Sequence, residues 1–487
     1  MTVRRTWLAR FGRRVAGLTL SAALAGCMVG PTYQRPSAPV TPAFKEAAGW
    51  RPSDPADGID RGAWWSMFDD PILDSLERRV ATSNQTVKQY EAAYREAHAI
   101  VAAARASLLP TVGGTQNLQN SHNGGASAAT AAPASAASAS ATTSSAVGLL
   151  EASWVPDLWG KIRRTVESDE SLAQASAAEL ANAKLSAQAS LAEDYFLLRD
   201  LDAQAQLYRE TISDYETYLQ LTTFQFKEGT QPLSAVVSAQ SQLYGAQALL
   251  ISVGSTRAQM EHAIAVLTGA PPATLSIGLA PLSHDVPVAP AGVPSMLLQR
   301  RPDIAAAERQ VSSANAQIGV AIAAYYPDLT LSAGYGASAG NLAGLFSAGT
   351  SLWSVGADLS ATLLDFSQRR AQVAAARALY EEDVASYRQT VLTAFEGVED
   401  ELAALRVFQQ QQEVLAQNEA AAREAVRLDL AEYREGVVDY TTVITAQAAA
   451  LSASQNVFSV LAERYQASVL LVEDLGGGWT AGELPKD

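Results

Sequence analysis

The chain has one cysteine, Cys27, which closes the run Leu24-Ala25-Gly26-Cys27. A lone thiol excludes a disulfide framework and any multi-thiolate metal site. Its setting points to a different chemistry. Arg4, Arg5, Arg10, Arg13 and Arg14 precede the apolar stretch Val15–Ala25. That stretch suits the core of a signal peptide and is shorter than the ~20 residues of a spanning helix. Small residues followed by Cys read as a bacterial lipobox. There the thiol of Cys27 takes a diacylglycerol, the peptide is cut before it, and the new N-terminus is acylated. Several acyl chains on one residue anchor a protein stably, where a single chain is marginal. A plain secretory signal with an incidental cysteine is the alternative.

No other residue set has the spacing of a reaction centre. His98, His122, His262 and His284 are the only histidines, and they are scattered. So few argue against a His-built zinc site. There is no H-E-x-x-H, G-x-G-x-x-G or P-loop. In Arg300-Arg301-Pro302-Asp303, Pro302 reads as a helix start and Asp303 as a charge at its N-terminus. An enzyme, a cofactor and a metal site are therefore not expected. The chain carries 35 basic and 50 acidic residues, net −15, and net −20 once the first 26 residues are set aside. An acidic body argues against nucleic acid, which needs basic patches. Inside a tube, such a charge would favour cations.

The elements that organise this chain repeat. Ala102–Val112 and Gly319–Leu329 are alike around Pro110 and Pro327, and the same offset pairs Glu91 with Glu308. Further on, Phe226-Lys227-Glu228-Gly229 matches Tyr433-Arg434-Glu435-Gly436 at an offset shorter by ten, which also pairs Arg257 with Arg464. The extra residues of the first copy fall in the low-complexity run Asn123–Ser145. A constant offset over so many positions is an internal duplication. Each copy predicts one order: a helix (about 71–109, 295–325), a Pro, two short alternating segments, a very long helix (about 160–228, 367–435), a turn at Gly229 or Gly436, and a last helix ending at Gly269 or Gly476. A helix of that length implies coiled-coil or tubular packing. Leu198, Leu201, Ala205, Tyr208, Ile212, Tyr215 and Leu219 step by three and four as its seam. Leu405, Phe408, Leu415, Ala422 and Val426 continue it in the second copy, interrupted by Gln412 and Glu419. The division expected is a signal peptide over 1–26, an arm over 27–70, repeats over 71–290 and 291–476, and a tail over 477–487.

The short segments have period 2. Leu329, Leu331, Ala333 and Tyr335 alternate with polar or small residues, as do Trp353, Val355, Ala357, Leu359, Ala361 and Leu363. Leu150, Ala152 and Trp154 alternate around Glu151 and Ser153, while Thr111 to about Gln119 is a weak pattern. About ten such residues suit a transmembrane β-strand, although an ordinary half-buried hairpin has the same pattern. Two hairpins, about 111–156 and 328–363, are too few to close a barrel of at least eight strands, and lipid tolerates no open edge. Several chains would have to share it.

Taken together the chain resembles the TolC-like outer-membrane efflux factors, in the lipoprotein branch typified by OprM and NodT. The likeness rests on Cys27–Pro36 (CMVGPTYQRP), Trp64–Leu73 (WWSMFDDPIL), Trp154–Lys161 (WVPDLWGK), Arg300–Ile304 (RRPDI) and Tyr433–Tyr440 (YREGVVDY). The resemblance implies a mainly α fold with transmembrane β, a homotrimer sharing a 12-stranded barrel, and a long helical barrel in the periplasm. Met28, where inner-membrane lipoproteins of this type carry Asp, implies anchoring in outer-membrane lipid. The implied partners are a periplasmic adaptor and an inner-membrane transporter of the RND type, with this chain as a passive exit duct for small toxic compounds. Relatives narrow the periplasmic mouth with rings of Leu and Asp; the matching positions are Thr441 and Thr445, with Asp439 as the nearby acid. The turns at Gly229 and Gly436 are the implied adaptor contacts, and Arg427 and Arg434 are placed to pair across the mouth. Two rival readings share parts of this pattern: a duct for protein secretion, and a periplasmic coiled-coil lipoprotein scaffold without a channel.

Overall fold

The computed structural model describes residues 28–46, 63–123, 141–283, 285–287, 300–347 and 349–485. Cys27 and His284 lie outside the described residues. The helices are α1 (Pro71–Ser83), α2 (Gln85–Ala106), α3 (Lys161–Lys227), α4 (Leu233–Leu267), α5 (Pro302–Ala323), α6 (Gln368–Arg434) and α7 (Tyr440–Asp474). The strands are β1 (Thr111–Asn123), β2 (Ala141–Trp154), β3 (Asp328–Ala339) and β4 (Ser351–Ser360). The two long helices, α3 and α6, have 67 residues each, and α4 and α7 have 35 each. At ~1.5 Å per residue α3 and α6 are each about 100 Å long. Among the described residues no helix is long and apolar enough to cross a membrane.

The chain divides into two compact units. One holds the residues up to Arg35, Glu96–Ala173 and Gln310–Val384. Its strands form one antiparallel sheet in the order β1-β2-β3-β4, so pairing of β2 with β3 joins the two hairpins. β1 is much stronger than its sequence pattern, reaching Asn123, and β4 stops at Ser360, short of Leu363. Ladder hydrogen bonds to a well-patterned β2 outweigh a weak pattern in β1. Small hydroxyls bring α3 and α5 together: Ser168 lies 2.8 Å from Ser313 and Ser171 lies 3.0 Å from Ser312. Trp159 stacks on Tyr326 with ring centroids 4.7 Å apart and donates its indole N–H to the Pro327 carbonyl. The start of the arm is clamped here. Buried Arg164 donates to the carbonyls of Val29 and Gly30, and Asn315 donates to that of Pro31.

The other unit holds Pro36–Arg95, Gln174–Arg309 and Ala385–Asp487. Its core gathers Trp64, Trp65, Leu73, Leu76, Val80, Leu191, Tyr195, Leu198, Ile264, Leu461 and Tyr465. The WWSMFDDPIL run builds a helix start. Asp70 caps α1 by accepting from the amides of Ile72 and Leu73, with Pro71 at the first helical position. The second Asp70 oxygen accepts from the Tyr195 hydroxyl at 2.5 Å, and Arg199 donates to that hydroxyl in turn. Asp202 accepts from Arg199, Arg257 and the Ala280 amide, while the two arginines donate to the carbonyls of Gly278 and Ile277. This network ties down the segment that leaves the first copy. The later arm docks on α6: Phe44 is buried among Val398, Leu402, Leu405 and Leu471, and the Glu399 carboxylate accepts from the amides of Lys45 and Glu46.

The seam residues Leu198, Leu201, Ala205, Tyr208 and Tyr215 are all buried. Its polar interruptions in the second copy are hydrogen-bonding points between helices. Glu419 accepts from Ser454 at 2.7 Å, and Gln412 accepts from Arg464, both on α7.

One expected element is corrected. The helix expected over about 71–109 is two helices, broken at Asn84. The Asn84 side chain accepts from the Val87 amide, capping α2, and donates to the Leu267 carbonyl at 2.8 Å. The second copy repeats the arrangement with different chemistry: Arg301, matching Asn84, donates to the carbonyl of Asp474, which matches Leu267. A Cβ on Gly269 would strike the Ser83 carbonyl, and one on the matching Gly476 would strike that of Arg300. The break is thus where the closing end of each copy presses on its opening helix.

Glu77 on α1 is fully buried, and neither carboxylate oxygen has a hydrogen-bond partner among the described residues. Burial pushes its carboxyl up to about 9, so it is protonated at neutral pH. The unfolded carboxyl ionises at its ordinary value. Between roughly pH 4.5 and 9 the folded state therefore holds a proton that the unfolded state releases, and stability falls as pH rises through that window. Glu77→Met is expected to stabilise the fold by about 1–3 kcal/mol at neutral pH. It should also flatten the decline between pH 6 and pH 8.5 in thermal melts; an unchanged slope would show that Glu77 is not the group responsible.

Candidate functional site

The sheet has two chemically distinct faces. On one, register places Val112 beside Ala152, Gly114 beside Leu150, and Leu118 beside Ala146. The same face continues through Leu150–Tyr335 and Trp154–Leu331 into Leu331–Ala357, Ala333–Val355, Tyr335–Trp353 and Leu329–Leu359. Many of these apolar side chains are open, with Val112, Trp353 and Val355 74–77% exposed, whereas Ala146 is buried. From Thr143 on in β2 and along the other three strands, apart from Leu149, Val147 and Leu352, the opposite face carries Thr, Ser, Asn, Gln and Gly, with Glu151, Asp328 and Asp358. The four strands contain no lysine or arginine. With 10 to 14 residues each, they match the length of a tilted strand that crosses a bilayer. Within the sheet, β1 and β4 each have a free edge.

The two turns are built alike. At the end of α3 the Thr230 amide donates to the Gln225 carbonyl and the Gly229 amide to that of Phe226. At the end of α6 Val437 donates to Glu432 and Gly436 to Tyr433. Both are Schellman turns, with Gly229 and Gly436 at φ 73° and 75°, a conformation in which a Cβ would be strained. Past the turns the two copies diverge. Pro232 begins α4 without a side-chain cap, while Asp439 caps α7 by accepting from the amides of Thr441 and Thr442 at 2.9 and 3.2 Å. The cap occupies one oxygen of Asp439, which is exposed. Thr441 and Thr445 are also exposed and one turn apart, with the Thr445 hydroxyl donating to the Thr441 carbonyl. Arg427 pairs with Glu424 on its own helix at 2.6 Å.

Sequence reasoning missed what fastens the turns. Tyr433 and Tyr440 are buried with ring centroids 5.4 Å apart, packed with Val443 and Ala239. The Tyr433 hydroxyl donates to Gln225 on α3 at 2.5 Å, a link between the two copies. The aromatic pair seven residues apart was a local signal; Gln225 had none, because its partner lies on the other copy.

Also missed was a group of carboxylates around the RRPDI run. Arg301 grips both oxygens of Asp303 and donates to the carboxylate and the carbonyl of Asp474. Burial, with repulsion from Glu473 and Asp194, pushes Glu193 up to about 7. Burial, with repulsion from Asp474, Asp400 and Glu193, pushes Glu401 up to about 7. Among the described residues no group of acids or histidines is arranged to hold a metal ion.

The sequence profile of the Outer membrane efflux protein family matches residues 77–270 and again 293–477. The chain belongs to that family. The two matches cover the two copies separately, as an internal duplication requires. This efflux protein is 29% identical over 394 residues to the probable efflux pump outer membrane protein TtgC of Pseudomonas putida, covering 80% of this chain and 79% of TtgC. It is 30% identical over 393 residues to nodulation protein T of Rhizobium leguminosarum, covering 79% and 80% of the two chains. The solved outer-membrane channel OprN superposes on 93% of this chain and 100% of its own, with a TM-score of 0.82 and 29% identity. The efflux protein is accordingly an outer-membrane channel component, located in the outer membrane and extending into the periplasm.

Proposed function

We propose that this efflux protein is the passive exit duct of a tripartite pump, carrying small toxic compounds across the periplasm and outer membrane. The observation that carries the reading is the sheet: one apolar face open to its surroundings, one polar face, and two unpaired edges. Lipid tolerates no unpaired edge, so β4 of one copy pairs with β1 of the next. Three copies of four strands close a 12-stranded barrel, with the polar face lining the water-filled lumen. Cys27 carries the lipid anchor in the outer membrane. An RND-type transporter in the inner membrane supplies the energy, and a periplasmic adaptor grips the turns at Gly229 and Gly436. Asp439, Thr441 and Thr445 line the mouth, which opens by splaying of helices. No reaction is catalysed.

The test is a deletion strain with or without this chain, challenged with amphiphilic drugs, dyes, solvents and metals. Hypersensitivity and accumulation that the chain reverses are expected, and the compounds affected name the cargo class. No change across the panel, together with loss of a secreted protein from the medium, would assign the duct to protein secretion instead.

A further inference from the structure

We infer that the cavity between α3, α6 and α7 is a binding site for a linear aliphatic diamine, which it holds by the two ammonium groups and which ties α3 to α7. The cavity has a volume of about 190 Å³. Glu210, Asp214, Tyr215 and Tyr218 line it from α3, and Gln447 and Ser454 from α7. Gln447 is 7% exposed, and its Oε1 is buried with no hydrogen-bond partner among the described residues. Its amide nitrogen is turned to the Tyr218 hydroxyl. Gln240, the matching residue of the first copy, is exposed on α4. A buried acceptor is costly to leave unfilled, and this one points to a donor supplied from outside the chain.

The rest of the lining makes that donor a cation. Glu210 and Asp214 stand one turn apart on one face of α3. One Glu210 oxygen accepts from Gln206. Burial and repulsion from Glu210 push the Asp214 carboxyl up, and no neighbouring base offsets them. The one base in the lining, Arg423, is already engaged: it pairs with Glu419 on its own helix at 2.7 Å and donates to the Ser454 hydroxyl. Arg434, also on α6, acts on Tyr218 but not on Asp214. Two carboxylates one turn apart match two ammonium groups joined by a propyl or butyl chain. The rings of Tyr215 and Tyr218 favour a cation over their faces. Leu207, Val426, Ala450 and Leu451 offer apolar surface to the methylenes between the charges, and an ammonium N–H supplies the donor for Gln447. A metal ion fits less well, because among the described residues no group of acids or histidines is arranged to hold one. The two acids stand on the long helix of the first copy and Gln447 on the last helix of the second, so the diamine bridges the copies.

The experiment uses the full-length chain purified in detergent, with putrescine as the probe. Isothermal titration is expected to show one putrescine per chain, and putrescine should raise the melting temperature. Gln447→Leu and Asp214→Asn should each weaken binding roughly tenfold or more, as the loss of one hydrogen bond to a charged group does. Asp214 is exposed, so Asp214→Asn tests the site even if Gln447→Leu does not fold. Gln240→Leu should bind as the unsubstituted chain does. Permethylated putrescine carries the same two charges and no N–H; it should bind roughly tenfold more weakly or worse. Absence of putrescine binding to the unsubstituted chain would overturn the site. Equal binding of putrescine and its permethylated form would also overturn it, because that result reports a diffuse acidic surface. Binding that survives Asp214→Asn and a folded Gln447→Leu unchanged would put the amine elsewhere on the chain and overturn the assignment.

Discussion

Replacing Arg301 by alanine is expected to cost about 3 kcal/mol of stability, the loss typical when one partner of a buried ion pair is removed. The side chain is 14% exposed and holds three acceptors at once: the Asp303 carboxylate, the Asp474 carboxylate at 2.6 Å and the Asp474 carbonyl. Its removal leaves those acids beside Glu473, Glu401 and Glu193 without a counter-charge. It also frees the opening helix of the second copy from the closing end that Gly476 presses against it. The loss should depend on pH. Burial and repulsion raise the folded values of Glu193 and Glu401 to about 7. An acid whose folded value is raised holds its proton longer in the native state, so stability falls as pH climbs from the ordinary carboxylate range through about 7. The Arg301→Ala deficit should therefore be larger at pH 8 than at pH 5.5, and Arg301→Lys should lose less than Arg301→Ala. Thermal melts at the two pH values read this out. A deficit independent of pH would mean that the arginine acts through packing, not through the carboxylates around it.

The second large effect concerns the sheet. Leu150 lies on its apolar face between Gly114 and Tyr335. Leu150→Arg places a charge toward lipid and is expected to cost about 2–4 kcal/mol near the bilayer midplane. Folding into phospholipid vesicles from urea measures the loss directly, and in cells the assembled form should disappear from outer-membrane fractions. Ser332→Arg is the matched control. Ser332 pairs with Ser153 and Gly356 on the polar face. That variant should assemble and change only the ionic selectivity of the pore. Equal damage from both substitutions would mean that the two faces do not meet different solvents.

Much of this architecture is legible along the chain because the signals are local and doubled. Period-2 runs mark β3 and β4, steps of three and four mark α3, and Gly229 and Gly436 mark the ends of the long helices. Duplication lets each weak reading be checked against its partner 207 or 217 positions away. Three things were decided by tertiary structure. β1 reaches Asn123 because β2 offers it a ladder, whatever its own weak alternation. The helix break at Asn84 exists because its amide has the Leu267 carbonyl to bind, and Arg301 takes the same place against Asp474. Asp439 caps α7 through the amides of Thr441 and Thr442, hydrogen bonds that the sequence alone did not reveal. Periodicity and turn residues act over a few residues, so sequence records them directly. Capping across copies, carboxylate repulsion and the pairing of Tyr433 with Gln225 depend on groups brought together from far apart in the chain, and only the folded chain brings them within reach.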